Sequence, residues 1–479
     1  MKSTTTILAL VASILAVPTN ARNIPSSSTA SQPKVVSLAT KRNTISNPVK
    51  RDRLRRRDTI KAGLDNEETL YFVNGTLGTP AQSLRLHLDT GSSDLWVNTD
   101  SSTLCSQSSN PCSYAGTYDA NSSSTYEFVG SWFNISYVDG SGASGDYVTD
   151  TLTIGNTTLD SFQFGVGYSS SSEQGILGIG YAVNEVQVGR AGKESYENLP
   201  MKMKSAGQIQ RNAYSLWLND LDANTGSILF GGVDTAQYTG DLQTLPVQAN
   251  AGVYSEFLIT LTSLTLGNMT IADNQALAVL LDSGSSLTYL PDDMVESIYD
   301  AVSAQYDSSE GAAYVPCSLA DETATLDFVF SGPKISVDMN ELVLDLITTS
   351  GRRPTFSNGV TACLFGISPA GSGTNVLGDT FLRSAYVVYD LDNNEISLAQ
   401  TNFNTTESNI EEIPSGTGIP NATAVSNSVE ATEGVSKTTG NGNAGLGDSD
   451  SSDGATTAAS PSILAVLISL GISIFVAII

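Results

Sequence analysis

From about residue 66 to 403 the apolar and polar positions alternate in short runs. Examples are YVTDTLTIGNTTL (147–159) and FLITLTSLTLGNMTI (257–271), punctuated by Gly, Asn and Ser clusters. That period of two, in Val/Ile/Thr/Tyr-rich segments, predicts a mostly-β body. Helical spacing breaks in at two places. After Pro291 the stretch DDMVESIYDAVSAQY puts Met294, Ile298, Ala301 and Val302 on one face, with Asp292 as its cap. A weaker helix is expected over 194–206. The pattern changes outside this body. Residues 1–21 contain a short, interrupted apolar run and 462–479 an apolar tail, whereas 404–460 is Ser, Thr, Gly, Asn and Asp with almost no large apolar side chain. Such a segment buries too little surface to fold, which predicts an extended stalk.

The body repeats itself. LHLDTGSSDLWV (86–97) returns as VLLDSGSSLTYLP (279–291), and GILGIGY (175–181) returns as NVLGDTF (375–381). Each pair keeps its order and its approximate spacing. Two lobes on one plan are the economical reading, with an N-terminal lobe over 58–248 and a C-terminal lobe over 249–403.

Charge then narrows the setting. The 479-residue chain carries 49 acidic and 23 basic residues, a formal net charge of −26. The cations crowd into 22–57, with dibasic clusters at Lys41-Arg42, Lys50-Arg51 and Arg55-Arg56-Arg57. The rest is so acidic that nucleic acid is excluded as a partner. Residues 1–21 have one early Lys, a short apolar run and small residues near Ala21, as a secretory signal does. The basic segment 22–57 then reads as a pro-peptide removed at a dibasic site, against the blander reading of an attached basic tail.

A secretory route makes disulfides the default for Cys105, Cys112, Cys317 and Cys363. Three connectivities are possible; Cys105–Cys112 with Cys317–Cys363 keeps each pair within one half. One histidine and no CxxC spacing argue against zinc. Seven sequons, at Asn74, Asn121, Asn134, Asn156, Asn268, Asn404 and Asn421, fit a glycosylated secreted protein. The apolar tail, 461–479, has no basic residue after it. With the polar spacer before it, this fits a glycolipid-anchor signal rather than a spanning helix.

A lone Asp-Thr-Gly-Ser could be a turn and nothing more. Two copies, each delivered by an apolar strand, are another matter. Packed about a pseudo-twofold axis, their carboxylates meet, share one proton and act as base and acid together on a water and a carbonyl. Gly91 and Gly284 let backbone approach the pair, and Thr90, Ser92, Ser283 and Ser285 supply hydroxyl donors.

On these motifs the chain resembles the pepsin-family aspartic proteases, and within them the fungal surface-anchored yapsins and secreted aspartyl proteases. The resemblance covers about 66–403. It includes LDTGSSDLWV with Trp96, the flap-like SYVDGSGASGDYVTDTL (136–152) with Tyr137 and Gly140, VLGDTFLR (376–383), LFGGVDTAQYTG (229–240) and YVVYDLDNNEISLA (386–399). It implies a bilobal, pepsin-like double β-barrel with the cleft between lobes. Asp89 and Asp282 are then the catalytic pair, polypeptides the substrates, and no metal or organic cofactor is required. The chain departs from the pattern in Asp-Ser-Gly at the second motif and in Val138 where the flap usually has Gly. His87, two residues before Asp89, reads as a packing residue. Flap Asp139 is a candidate reader of a substrate Lys or Arg, against the simpler role of capping the hairpin.

Other classes fit less well. A serine hydrolase needs a base beside its nucleophile, and His87 lies in the wrong motif. A two-carboxylate glycosidase leaves the duplication and the flap unexplained. Both halves in one chain exclude a dimeric retroviral-type protease and suit a monomer. The remaining alternative is an inactive surface protein on a protease fold, although Asp89, Asp282 and Tyr137 are all in place.

Overall fold

The computed structural model describes residues 33–45, 68–137, 141–223, 225–346, 352–416 and 418–435. The expected signal (1–21), the clusters Lys50-Arg51 and Arg55-Arg56-Arg57, flap residues Asp139 and Gly140, and the chain from 436 on lie outside them.

Strands dominate, as the alternation predicts. A 14-stranded sheet runs through the molecule. At its middle, Ala385–Asp390 from the second half pairs with Ala213–Trp217, which pairs in turn with Thr225–Phe230. The sheet ends in the N-terminal lobe at the long hairpin Glu127–Ser136 and Gly142–Ile154. A separate five-stranded sheet holds the second Asp motif, built on Leu258–Leu261, Leu277–Leu281, Val376–Leu377, Thr288–Leu290 and Ile367–Pro369. Apolar side chains from both halves pack into one continuous core.

The internal repeat is structural. Leu88 and Asp89 run parallel to Leu177 and Gly178, while Leu280 and Leu281 run parallel to Val376 and Leu377. In each half the strand leaving the Asp loop returns antiparallel on the other side of that short strand. Each Asp loop is thereby threaded by an apolar-Leu-Gly segment. The disulfides are Cys105–Cys112 and Cys317–Cys363, one in each half.

Four expectations need correction. The helix after Pro291 spans Asp292–Val302, and it buries Met294, Val295 and Ile298 while Ala301 is exposed. Its N-cap is Pro291, and the Asp292 carboxylate accepts a hydrogen bond from Gly371 N instead (2.9 Å). The weaker helix shrinks to Leu199–Ser205, with Pro200 in its first turn, where its missing N–H costs nothing.

The third correction concerns the basic segment. Val36–Ile45 is a strand of the central sheet, paired with Thr225–Phe230 on one side and Glu68–Leu77 on the other. Val36, Leu38 and Thr40 point inward and Ser37, Ala39 and Lys41 outward. The dibasic pair Lys41-Arg42 therefore sits inside a doubly paired strand.

The fourth is the stalk. Residues 404–435, apart from 417, continue the folded body. Ile410–Glu412 pairs with Gly232–Asp234, Ala422–Ala424 runs parallel to Tyr238–Pro246, and Ala278 N donates to Glu433 O (2.8 Å). Ile413 and Ile419 are buried. A polar segment gains order here by adding to sheets that already exist, without a core of its own.

Candidate active site

The two Asp loops meet face to face. Asp89 and Asp282 are buried, 2% and 7% exposed, each at the end of a fully buried strand segment. Their surroundings match position by position. Asp89 Oδ1 accepts Gly91 N (2.9 Å) and its Oδ2 accepts the Ser92 hydroxyl (2.5 Å). Asp282 Oδ1 accepts Gly284 N (2.7 Å) and its Oδ2 accepts the Ser285 hydroxyl (2.6 Å).

Beneath the carboxylates the loops clasp one another. The Thr90 hydroxyl donates to Leu281 O (3.0 Å) and accepts from Ser283 N (2.9 Å). Symmetrically, the Ser283 hydroxyl donates to Leu88 O (3.0 Å) and accepts from Thr90 N (3.2 Å). Four buried bonds between the halves fix the spacing of the pair. Ser in place of Thr at position 283 keeps every one of them.

The glycines are required by proximity. A Cβ on Gly284 would stand 2.3 Å from Asp89 Oδ1 and 2.8 Å from Asp282 Oδ1; one on Gly91 would stand 2.5 Å from Asp282 Oδ1. The two Oδ1 atoms thus flank one small space. The outer Oδ2 atoms are already engaged by serine hydroxyls, which leaves the inner oxygens for chemistry.

Trp96, fully buried, donates its indole N–H to the Tyr137 hydroxyl (2.7 Å), tying the strand after the first motif to the base of the flap. His87 is buried with its ring tilted against Phe72, centroids 5.8 Å apart, as a packing residue should be. All seven sequon asparagines are exposed.

Sequence reasoning missed a buried acidic group behind the first motif. Asp94 accepts hydrogen bonds from the Tyr147 hydroxyl (2.6 Å), Val186 N (2.9 Å) and the Tyr196 hydroxyl (3.0 Å). Burial pushes its carboxyl up, against the pull of those donors. Neighbouring Glu185 is 1% exposed; its Oε2 accepts Tyr196 N (2.8 Å) while Oε1 has no partner. Burial pushes this carboxyl up to about 9, and the Asp94 charge adds to the rise. Asp94 was visible in principle, as a second Asp in an apolar run five residues after the first. Glu185 carried no local signal. Two buried ion pairs, Arg383–Glu341 and Arg211–Asp390, were likewise illegible.

The chain is similar to known proteins over most of its length. The family model for eukaryotic aspartyl proteases matches residues 70–401. A probable aspartic-type endopeptidase (opsB) of Aspergillus oryzae is 60% identical over 406 residues, 83% of this chain and 82% of that protein. Secreted aspartic protease 3 of Candida albicans is 40% identical over 363 residues, 74% of this chain and 85% of that one. In fold, the chain resembles the crystal structure of the aspartic proteinase from Irpex lacteus, with TM-score 0.57 and 24% identity over 77% of this chain and all of that one. The matched family spans both Asp loops, both threading segments and the sheet that joins them: the chain belongs to the eukaryotic aspartyl proteases and is an aspartic-type endopeptidase.

Proposed function

We propose that Asp89 and Asp282 carry the hydrolysis, in an endopeptidase made as a secreted precursor and held at the cell surface by a glycolipid. The observation that carries the catalytic part is the reciprocal clasp of the two loops, which aims two inner carboxyl oxygens at one space. Two carboxyls this close hold a single proton between them. The ionised partner takes a proton from a water seated between the inner oxygens as that water attacks the peptide carbonyl. The protonated partner gives its proton to the carbonyl oxygen. Collapse of the tetrahedral intermediate returns a proton to the leaving amine, and the pair is restored. An extended substrate fits across the cleft beneath the hairpin whose base Trp96 and Tyr137 secure.

Several features support the rest of the reading. The N-terminal signal, two disulfides and seven exposed sequons suit an extracellular protein, and the Candida relative is named as secreted. The apolar C-terminal tail supports the glycolipid anchor, and the dibasic segment supports removal of a pro-peptide. Preference for basic sites rests on the acidic field of the chain and on Asp139 in the flap.

The test is cleavage of a mixed peptide pool in steps from about pH 3 to 7, with Asp282→Asn alongside. Cuts that require Asp282 establish the catalytic pair, and their clustering beside Lys or Arg establishes the preference. A folded protein with no Asp282-dependent cutting at any pH sinks the reading.

A further inference from the structure

A third carboxyl stands beside the pair, and the strand register puts it there. Leu258–Leu261 pairs antiparallel with Leu277–Leu281, Leu258 opposite Leu280 and Ile259 opposite Val279. Leu281 N also donates to Phe257 O (3.2 Å), so the pairing runs on beyond the ends of the two strands. Two residues past Leu258 the same register sets Glu256 opposite Asp282. Residues directly opposite on paired strands project to the same face, with Cβ atoms about 4.5–5.5 Å apart.

The surroundings of Glu256 are those of a site waiting for a cation. It is half-buried between buried Ser255 and Phe257, and Asn250 donates a hydrogen bond to it. Among the described residues no Lys or Arg pairs with it. Its carboxyl is held above the usual range by burial, and the Asp282 charge adds to that. An enclosed carboxylate next to another acid is costly unless something positive arrives. Two fully buried acids of this half do have a cation: Glu341 has Arg383, and Asp390 has Arg211.

We propose that Glu256 is a specificity-determining residue, the anionic subsite that receives the ammonium or guanidinium of a substrate Lys or Arg next to the scissile bond. This rests on the reading of Asp282 as half of the catalytic pair. It places basic-residue recognition on the second-motif side of the cleft, independent of Asp139 in the flap.

The experiment uses matched peptides that differ only by Lys or Met at each of the positions flanking one cut, assayed with the wild type, Glu256→Gln, Asp139→Asn and Asp282→Asn. Glu256→Gln keeps the size of the side chain and an acceptor for Asn250. Its kcat/KM for the Lys peptide at one position is expected to fall about 10- to 100-fold, the worth of a charge-assisted hydrogen bond. The Met peptide, which lacks the charge, reports whatever the variant does to the catalytic pair itself, so the expected result is an about 10- to 100-fold fall in the Lys-to-Met ratio of kcat/KM. Glu256→Asp, which retracts the carboxylate by one methylene, should retain the Lys preference at reduced size; a purely structural residue would show no such rescue. Equal losses on Lys and Met peptides, or an unchanged ratio, overturn the proposal while leaving the catalytic pair intact. Absence of any Asp282-dependent cleavage by the wild type overturns both.

Discussion

Glu185 makes the most exposed prediction of the structure, because it is a glutamate built to be neutral. Its carboxyl is buried, has one hydrogen-bond donor, lies near Asp94, and is pushed from an ordinary 4.5 up to about 9. In the unfolded chain it ionises near its ordinary value. Between those two values the folded state holds a proton that the unfolded state has released, so stability falls as pH rises through that window. The slope for one group is about 1.4 kcal/mol per pH unit, and three units of it amount to a ceiling of about 4 kcal/mol by pH 7.5. Glutamine at 185 is neutral at every pH and can still accept from Tyr196 N through its carbonyl oxygen. Glu185→Gln should therefore match the wild type near pH 4 and outlast it increasingly above pH 6. Even a quarter of the ceiling, about 1 kcal/mol, moves the melting temperature by about 2–4 °C in a domain of 150–250 residues. Thermal unfolding of both proteins at half-unit steps from pH 4 to 8 reads the difference directly. Parallel curves, offset by a constant at all pH values, would show that Glu185 is not the group that titrates and would refute the reasoning.

Three further outcomes follow from contacts already described. Gly284→Ala drives a methyl into Asp89 Oδ1 and Asp282 Oδ1, so peptide hydrolysis should drop at least about 100-fold, about 3 kcal/mol of barrier, while circular dichroism at pH 4 stays native; retained activity would mean that the pair is not as close as the structure has it. Ile413→Ala, in the segment after the second lobe, should cost about 2–5 kcal/mol in denaturant unfolding, as a fully buried isoleucine does, and a change near zero would return 404–435 to the status of a loose stalk. Removing the Cys317–Cys363 bridge, whose partners are 46 residues apart, should cost up to about 4 kcal/mol on the loop-entropy account, measured by urea midpoint for Cys317→Ser with Cys363→Ser against the wild type; an unchanged midpoint would contradict that account.

What the sequence made legible was whatever local pattern controls. The paired Asp motifs, their Gly and hydroxyl neighbours, and the threading segments all appear as short words, and the structure joins them residue for residue. The cysteine pairs followed from keeping each bridge within a half. What it hid is set by contacts between distant segments. Val36–Ile45 alternates cleanly, yet its Lys and Arg drew attention to processing and away from the period of two that buries Val36, Leu38 and Thr40. Residues 404–435 have too few apolar side chains to fold alone, a sound inference that fails because the segment pairs with strands of the body and buries Ile413 and Ile419 against it. Glu256 has no motif at all; only the register of two strands, continued one step past its last hydrogen bond, brings it towards Asp282.

The distribution of buried charge gives the two halves different responses to pH. In the second half and the joining sheet, buried carboxylates are neutralised by buried guanidinium groups, Glu341 by Arg383 and Asp390 by Arg211. Behind the first motif the same burden is carried without cations among the described residues. Asp94 is met by two tyrosine hydroxyls and a backbone amide, whereas Glu185 has one amide and holds a proton in place of a positive charge. Raising the pH strips the proton from Glu185 and leaves a bare charge behind the first motif. The elements that hold this acidic group include Gly142–Ile154, through Tyr147, which is also the strand that leaves the flap. Deprotonation of Glu185 thus strikes the half of the molecule that covers the substrate, and loss of activity as the pH rises should begin there, with the second Asp loop still in place.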